Sequence, residues 1–312
     1  MAGAYISGMV TPSAAALAEL TEMKFGRAER RPAREVLAAD AAGLFALQQG
    51  AGFAYHSDGQ LLWPDTIRPL YEGLPGASIG PQQRYFDTDG FWFPPVFESA
   101  DGRGDPDLWK WLFYTAAPAV LRVVGPYTVA RTSRHPGLSD QEAAQRYGDH
   151  LGRAVSKLNH ALIEVSEPSI GKDAAAGAVD PGLLEAARPR IRQWRTVIVH
   201  PGAVDAALIP EELAGQYHGV VIDATETLSL ARGEGLQAAE AWEGAVVAVG
   251  VLDARTSAPD SLEWAQRAVD AVTAALQPRQ LLVTTNDQLF YTCTGQTAQQ
   301  KLQALAQLGR AL

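Results

Sequence analysis

The chain alternates between short apolar runs and longer stretches with helical periodicity. Ala4 to Val10, Phe53 to Tyr55, Ala119 to Val124, Leu162 to Val165, Thr196 to Val199, Gly219 to Ile222, Ala245 to Val251 and Leu281 to Thr284 read as eight strands. They are continuous runs, as in strands covered on both faces. Helices are expected between them. Ala33 to Gln49 is rich in Ala and Leu and stops at Gly50 and Gly52. Ser139 and Glu142 have the spacing of a capping box and open a helix expected to reach about Ala161. Asp107 to Tyr114 and Pro181 to Trp194 also read as helices. Asp260 to Glu263 caps another, with Leu262, Ala265, Val269, Val272 and Leu276 on one face. Thr294 caps a last one that buries Ala298, Leu302, Leu305 and Leu308.

Eight such units predict an α/β fold, a (β/α)8 TIM barrel filling residues 1–312 as one domain. A doubly wound open sheet is the rival. It requires a glycine-rich phosphate turn after the first strand, which Ile6-Ser-Gly8-Met-Val10 does not supply. After the second strand comes an insertion, Gly73 to Gly104, dense in Pro, Gly and aromatic residues from Tyr85 to Phe97. A loop of that length is expected to be a lid, a hairpin or a partner surface.

Composition narrows the function. With 312 residues, 47% of them apolar, the chain can bury a large core. No apolar run is long enough for a bilayer, and no basic-then-apolar leader opens the chain, so a cytoplasmic protein is expected. One cysteine, Cys293, excludes an internal disulfide and any site needing two thiolates from one chain. The net charge of -9 disfavours nonspecific nucleic-acid binding. The basic runs Arg27 to Arg34 and Arg188 to Arg195 read as solvated helix faces. A small-molecule partner is expected, without nucleic acid or membrane; nothing in the sequence sets the oligomeric state.

Polar residues gather at the strand ends, where a barrel would have its rim. His200, Glu167 and Asp253 are the candidate catalytic groups. Asp58, Gln60, Thr128, Glu164, Ser166, Asn286 and Gln288 are candidate substrate-binding residues. His200, Asp223 and Asp287 offer one imidazole and two carboxylates, a donor set for a divalent metal at long spacing. Bland readings stand beside these. Asp253 reads equally well as a helix cap, His200 as a partner of a loop carbonyl, Glu226 as a solvated charge and Cys293 as a buried filler.

Several short motifs also come in a telling order: Ser57-Asp-Gly-Gln60 with Trp63-Pro-Asp-Thr-Ile67, then Val124-Gly-Pro-Tyr-Thr128, then Ile163-Glu-Val-Ser-Glu-Pro168. Val249-Gly-Val-Leu-Asp253 with Arg255 and Ser261-Leu-Glu263, Leu282 to Gln288, and Thr292 to Leu302 follow. Together they resemble the catalytic C-terminal half of cobalamin-independent methionine synthase in its short single-barrel form, over nearly the whole chain. The resemblance implies a methyltransferase-like enzyme of methionine biosynthesis or related one-carbon chemistry. Its donor would be a methylated folate, its acceptor a thiol or another nucleophile, and the aromatic insertion a stacking wall for the pterin. In that family zinc is held by a His-x-Cys pair, a Glu and a final Cys, and turns the substrate thiol into a thiolate. Those positions fall here on His200 with Gly202, on Asp223 and on Gln288. The Glu that grips the amino-acid ammonium falls on Gln60, and the Asp associated with folate on Ser166, beside Glu167. Both thiolates are replaced, and with them the soft donors that favour zinc. The implied zinc site is therefore degenerate, and the implied reaction is not standard homocysteine methylation. Zinc or another divalent metal, and a methylated folate, are the cofactors suggested. Two alternatives stay open: zinc-dependent methionine synthesis with altered ligands, and a non-catalytic barrel that binds a small molecule.

Overall fold

The computed structural model describes residues 2–25, 27, 30–72, 74–86, 88, 90–98, 119–191, 195–236, 240–290 and 295–311. Its strands are β1 (Ala2–Ala4), the short insertion strands β2 (Ala77–Ile79), β3 (Gln83–Arg84), β4 (Phe91–Trp92) and β5 (Pro95–Phe97), then β6 (Ala119–Val124), β7 (His160–Ser166), β8 (Thr196–His200), β9 (Gly219–Asp223), β10 (Val246–Leu252) and β11 (Gln280–Thr285). Seven of them pair in parallel, in the order β1-β11-β10-β9-β8-β7-β6. The curled sheet leaves β1 and β6 as edges, and one further stretch joins them. Ala54 N donates to Ala4 O at 3.0 Å, and Val120 N donates to His56 O at 3.1 Å. Residues 54–56 therefore fill the place of an eighth stave without forming a strand ladder. The architecture is TIM-barrel-like, as the alternation of runs and helices predicts.

Every stave contributes to one interior cluster: Tyr5, Val120, Leu162, Ile198, Val221, Val246, Ala248 and Leu282, with Ala54 and Tyr55 packed against it. Alternate residues such as Val123, Val165, Val199, Ile222, Val249 and Val283 belong instead to the outer core beneath the helices. This two-fold alternation places the functional groups. Two residues beyond each interior apolar position, the side chain again points inward. There stand Ser7, Arg122, Glu164, His200, Asp223 and Thr284, all buried. The apolar plug thus gives way to a polar layer at the C-terminal ends of the strands.

The helices are α1 (Ala14–Lys24), α2 (Arg30–Ala51), α3 (Arg68–Tyr71), α4 (Pro126–Thr132), α5 (Asp140–Ser156), α6 (Pro168–Ala175), α7 (Pro181–Ala186), α8 (Leu228–Ala231), α9 (Leu262–Leu276) and α10 (Gly295–Ala311). The capping box forms: Ser139 accepts from Glu142 N and the Glu142 carboxylate accepts from Ser139 N. Several expected boundaries move. The first strand stops at Ala4, because Gly8, with φ +66°, turns the chain inward. The helix from Ser139 ends at Ser156, and the one from Pro181 at Ala186. Ser261, not Asp260, caps α9, while Asp260 pairs with Lys301 at 2.8 Å. Arg195 is not on a solvated face; it is buried and donates to the carbonyls of Val155 and Leu158. The expected helix Asp107 to Tyr114, the Thr294 cap and Cys293 lie outside the described residues. The insertion is two small antiparallel pairs, β2 with β5 and β3 with β4. Among the described residues no helix is long and apolar enough to cross a membrane.

Barrel closure makes a testable demand at Gly3. A Cβ there would lie 2.6 Å from Ala54 Cβ, so Gly3→Ala should push the eighth stave outward and cost about 1–3 kcal/mol. Gly43, in α2, has nothing within 4 Å of its Cβ position. Gly43→Ala should stabilise the protein by about 0.5–1 kcal/mol. Denaturant midpoints of the two variants check both signs.

Candidate active site at the barrel mouth

The polar layer is organised by Arg122, the one cation in the otherwise apolar run of β6. Its Nη1 donates to Ser7 Oγ at 2.7 Å and its Nη2 to Ser166 Oγ at 2.9 Å. Nη2 also pairs with Asp287 Oδ1 at 2.8 Å, and Nη1 lies 3.4 Å from Glu164 Oε1. Gly8 makes room for this packing: a Cβ there would sit 2.7 Å from Arg122 Cδ. The backbone is pinned as well, since Arg122 N donates to Gln60 Oε1 at 3.1 Å.

Glu164 is fully buried and surrounded by donors. Tyr5 Oη donates to Oε2 at 2.9 Å, and Ser7 Oγ to Oε1 at 2.8 Å. His200 Nδ1 contacts Oε1 at 3.0 Å. Burial works against its ionisation, but Arg122, His200 and Ser7 prevail and hold its pKa at about 2. An ionised Glu164 can only accept, so His200 Nδ1 carries a hydrogen toward it and Nε2 is the ring nitrogen left over. Nε2 is buried and has no hydrogen-bond partner. The same burial and the charge of Glu164 push the Tyr5 hydroxyl well above the ordinary tyrosine range.

A second cluster surrounds Arg255. Its guanidinium reaches Glu226 at 2.9 Å, Asp253 at 3.3 Å and Asp223 Oδ2 at 3.4 Å. Asn286 Nδ2 ties Thr225 Oγ1 and Asp253 Oδ1 together at 2.9 and 3.1 Å. Asp223 Oδ1 accepts from Thr225 N and Oγ1, at 2.9 and 2.6 Å. Oδ2 has no hydrogen-bond partner. Burial raises the Asp223 pKa to about 6, against the pull of Arg255, Thr225 and His200. His200 thus lies within electrostatic reach of both clusters.

Above the layer is a cavity of about 430 Å³. Arg122, Asp287, Gly202, Lys172 and Arg255 line one side, and Arg84, Phe86 and Trp92 of the insertion line the other. Tyr85 stands edge-on to Trp92, ring centroids 5.2 Å apart, with its hydroxyl 3.5 Å from Ser166 Oγ. The insertion is therefore a wall of the mouth. A second cavity, about 330 Å³, lies against α2, α10 and the loop after β1, and Asp40 is its one ionisable lining residue among those described. It lacks the groups for chemistry.

The expected site residues divide accordingly. Glu164, Ser166, His200 and Asp287 meet around Arg122. Gln288 joins them weakly, its Oε1 accepting from Met9 N at 3.4 Å while its Nε2 is buried without a partner. Asp58 and Gln60 hold backbone rather than facing the cavity: Asp58 Oδ1 accepts from Gln60 N at 2.9 Å, and Gln60 clamps Arg122 N. Glu167, expected as an acid/base group, is turned away. Its two oxygens accept from Tyr127 N and Thr128 N at the start of α4, at 3.1 and 2.7 Å. Gly125 packs so close that a Cβ there would overlap the carboxylate. Burial raises the Glu167 pKa to about 7, against those donors. Thr128 belongs to the same clamp, accepting from Ser169 N at 3.2 Å. Asp253, also expected as catalytic, holds Arg255, and neither Asp253 nor Asn286 lines the cavity. Glu226 is half-exposed but paired.

The expected metal set does not assemble. Among the described residues no three of His, Cys, Asp and Glu gather to hold an ion. Asp287 is spent on Arg122, and His200 Nδ1 on Glu164. Of the positions that match zinc ligands, only His200 Nε2 and Asp223 Oδ2 keep an open donor atom, beside two guanidinium charges that oppose a divalent cation. Zinc therefore does not fit these residues. Arg122, Ser7, Tyr5 and Tyr85 went unpredicted. The available signal was Arg122 itself, since a lone cation in a strand covered on both faces must have buried partners.

No family model and no curated protein matches the chain by sequence. Solved structures do match in shape. A B12-independent methionine synthase from Shewanella sp. W3-18-1, in complex with selenomethionine, superposes with a TM-score of 0.73 at 15% identity, covering 99% of this chain and 96% of that one. A putative vitamin-B12 independent methionine synthase from Listeria monocytogenes gives 0.67 at 12% identity, covering 100% and 98%. The chain shares the fold of these proteins over its whole length.

Two buried carboxylates give separable predictions. The folded pKa of Asp223 lies above its ordinary 3.8, so the folded state keeps the proton longer than the unfolded chain. That stability is complete below pH 3.8 and is lost as pH rises through about 6. Asp223→Asn should remove up to about 3 kcal/mol of this pH-dependent loss, read as the difference between wild-type and variant unfolding curves from pH 4 to 7. In Glu167→Gln an amide NH2 would face one of the two α4 N–H groups. A loss of about 1–3 kcal/mol is expected in denaturant melts.

Proposed function

We propose that the chain is a methyltransferase-like enzyme of the cobalamin-independent methionine synthase superfamily, with a divergent site that works without a zinc-bound thiolate. One observation carries this reading. His200 has one ring nitrogen fixed to an ionised carboxylate and the other left without a hydrogen-bond partner, at the strand ends where barrels of this kind do their chemistry. A carboxylate behind an imidazole sets its tautomer and supports the charge that develops when the far nitrogen takes a proton. His200 then acts as the base toward the acceptor, a thiol or another nucleophile. The acceptor's proton passes to Nε2 as its bond to the methyl carbon forms. The methyl's bond to the donor nitrogen breaks, and the electron pair stays on that nitrogen. Asp223, raised to about 6, is a group able to supply the proton this nitrogen then needs. The aromatic wall of Phe86 and Trp92 suits a flat ring such as that of a methylated folate. A small-molecule ligand at the mouth is the partner this reading requires.

A binder without turnover is the second reading. What favours it is that His200 has no exposed surface, so a substrate must shift neighbouring groups to reach Nε2. Assays with methylated folates and a panel of thiols separate the two. Turnover that falls about 10²–10⁴-fold in His200→Ala, with the melting temperature within a few degrees of wild type, supports the enzyme. Absence of turnover in the wild type, with ligand-dependent melting retained, supports the binder. Chelation should leave the melting temperature unchanged. One zinc per chain, lost in His200→Ala, would overturn the zinc-free assignment.

A further inference from the structure

We infer that the mouth cavity takes a small organic acid that carries carboxylates and no ammonium group, and that one of its carboxylates competes with Asp287 for Arg122. The inference rests on the mouth being the working site, and it names the class of ligand. Four cationic side chains line the cavity, Arg84, Arg122, Lys172 and Arg255, against one carboxylate, Asp287, among the described lining residues. Arg122 and Arg255 are paired with carboxylates. Lys172 projects from the last turn of α6 and has no ion-pair partner among the described residues.

Among the described residues, the carboxylates near the mouth are engaged. Asp287 pairs with Arg122, and Asp223, Asp253 and Glu226 converge on Arg255. Glu164 is enclosed by Tyr5, Ser7, His200 and Arg122. A zwitterionic amino acid would therefore bring an ammonium group beside Lys172 and three guanidinium groups, with no unspent carboxylate among the described residues to meet it. Ligands with an unpaired like charge are rejected in this way.

Arg122 shows where the acid binds. Its buried end faces Glu164, which is fully enclosed, and its outer end meets Asp287, whose side chain is 18% exposed. Asp287 Oδ1 thus already holds the position that a ligand carboxylate would take on the guanidinium. Arg122 Nε and Gln288 Nε2 are buried donors still without acceptors beside it. Planar guanidinium forks favour carboxylates in this setting. Exchange of Asp287 for the ligand's carboxylate would also open the path from the cavity toward the layer that holds His200.

Calorimetric titration of the full chain with glutarate, citrate, inorganic phosphate and glutamate tests this. Glutarate and glutamate share a carbon skeleton and differ at one ammonium group. Glutarate should bind at least about tenfold more tightly than glutamate, and more weakly as salt is added. Lys172→Ala should weaken glutarate binding about 3–10-fold, whereas Asp287→Asn should strengthen it about tenfold by releasing Arg122. The opposite signs of the two variants cannot arise from a general loss of folding. Absence of acid binding, equal binding of glutamate, tighter binding of phosphate, or no gain in Asp287→Asn would each overturn the inference. Binding is read at equilibrium, without turnover. Acid binding with no methyl transfer would keep this inference and sink the enzymatic reading, and methyl transfer without acid binding would do the reverse.

Discussion

A guanidinium inside a barrel is a cost that the surrounding residues must offset. Arg122 is fully enclosed, and an uncompensated charge at such depth would be destabilising by several kcal/mol. Two carboxylates and two serine hydroxyls meet it, one of them on the irregular chain after β1, two on β7 and one after β11. Those contacts tie together elements distant in sequence. They also explain local features that otherwise look arbitrary: the left-handed turn at Gly8, the approach of the loop carrying Asp287, and the amide of Gln60 held against the β6 backbone. Breaking a buried pair costs more than the pair contributes, because the remaining charge is stranded. Arg122 and Glu164 are therefore best understood as one unit.

That unit has a chemical consequence. Arg122 keeps Glu164 ionised despite its burial, and an ionised Glu164 orients the His200 ring by accepting from its Nδ1. The ring is thus positioned in part by a charge that does not touch it. Asp223 stands on the other side of His200 in the opposite condition: burial dominates there, and its pKa rises. Two carboxylates one strand apart from the same imidazole are driven in opposite directions by their neighbours. Such divergence is a common mark of working acid and base groups.

Much of this was legible in the sequence, and the exceptions have physical reasons. Six of the eight apolar runs are strands within a few residues, because burial on both faces leaves an unmistakable run, and the first meets β1 only at Ala4. Phe53 to Tyr55 does fill the gap between β1 and β6, but through single backbone hydrogen bonds, which no residue pattern distinguishes from a ladder. The helices end short of Ala161 and Trp194, at Ser156 and Ala186, and Pro189 cannot continue the second one. Strand-end polarity pointed to Glu164, His200 and Asp287, which the structure brings together around Arg122. It could not separate them from Glu167, Asp58 or Gln60, since a carboxylate that clamps backbone N–H groups and one that faces a cavity look alike in one dimension. Arg122 was the missed signal, a polar residue at a position whose neighbours two residues away are all interior.

The same electrostatics bears on the divergence of the site. A divalent cation needs carboxylates and soft donors that are free to turn toward it. Here Gly202 and Gln288 offer no thiolate, and the acidic residues nearby are committed to Arg122 and Arg255. Introducing one cysteine would not create a metal centre, because Arg122 and Arg255 would still hold the carboxylates and still oppose a divalent ion. The constraint is collective: the carboxylates that a divalent ion would need already neutralise Arg122 and Arg255, so no single side chain can be exchanged to free them.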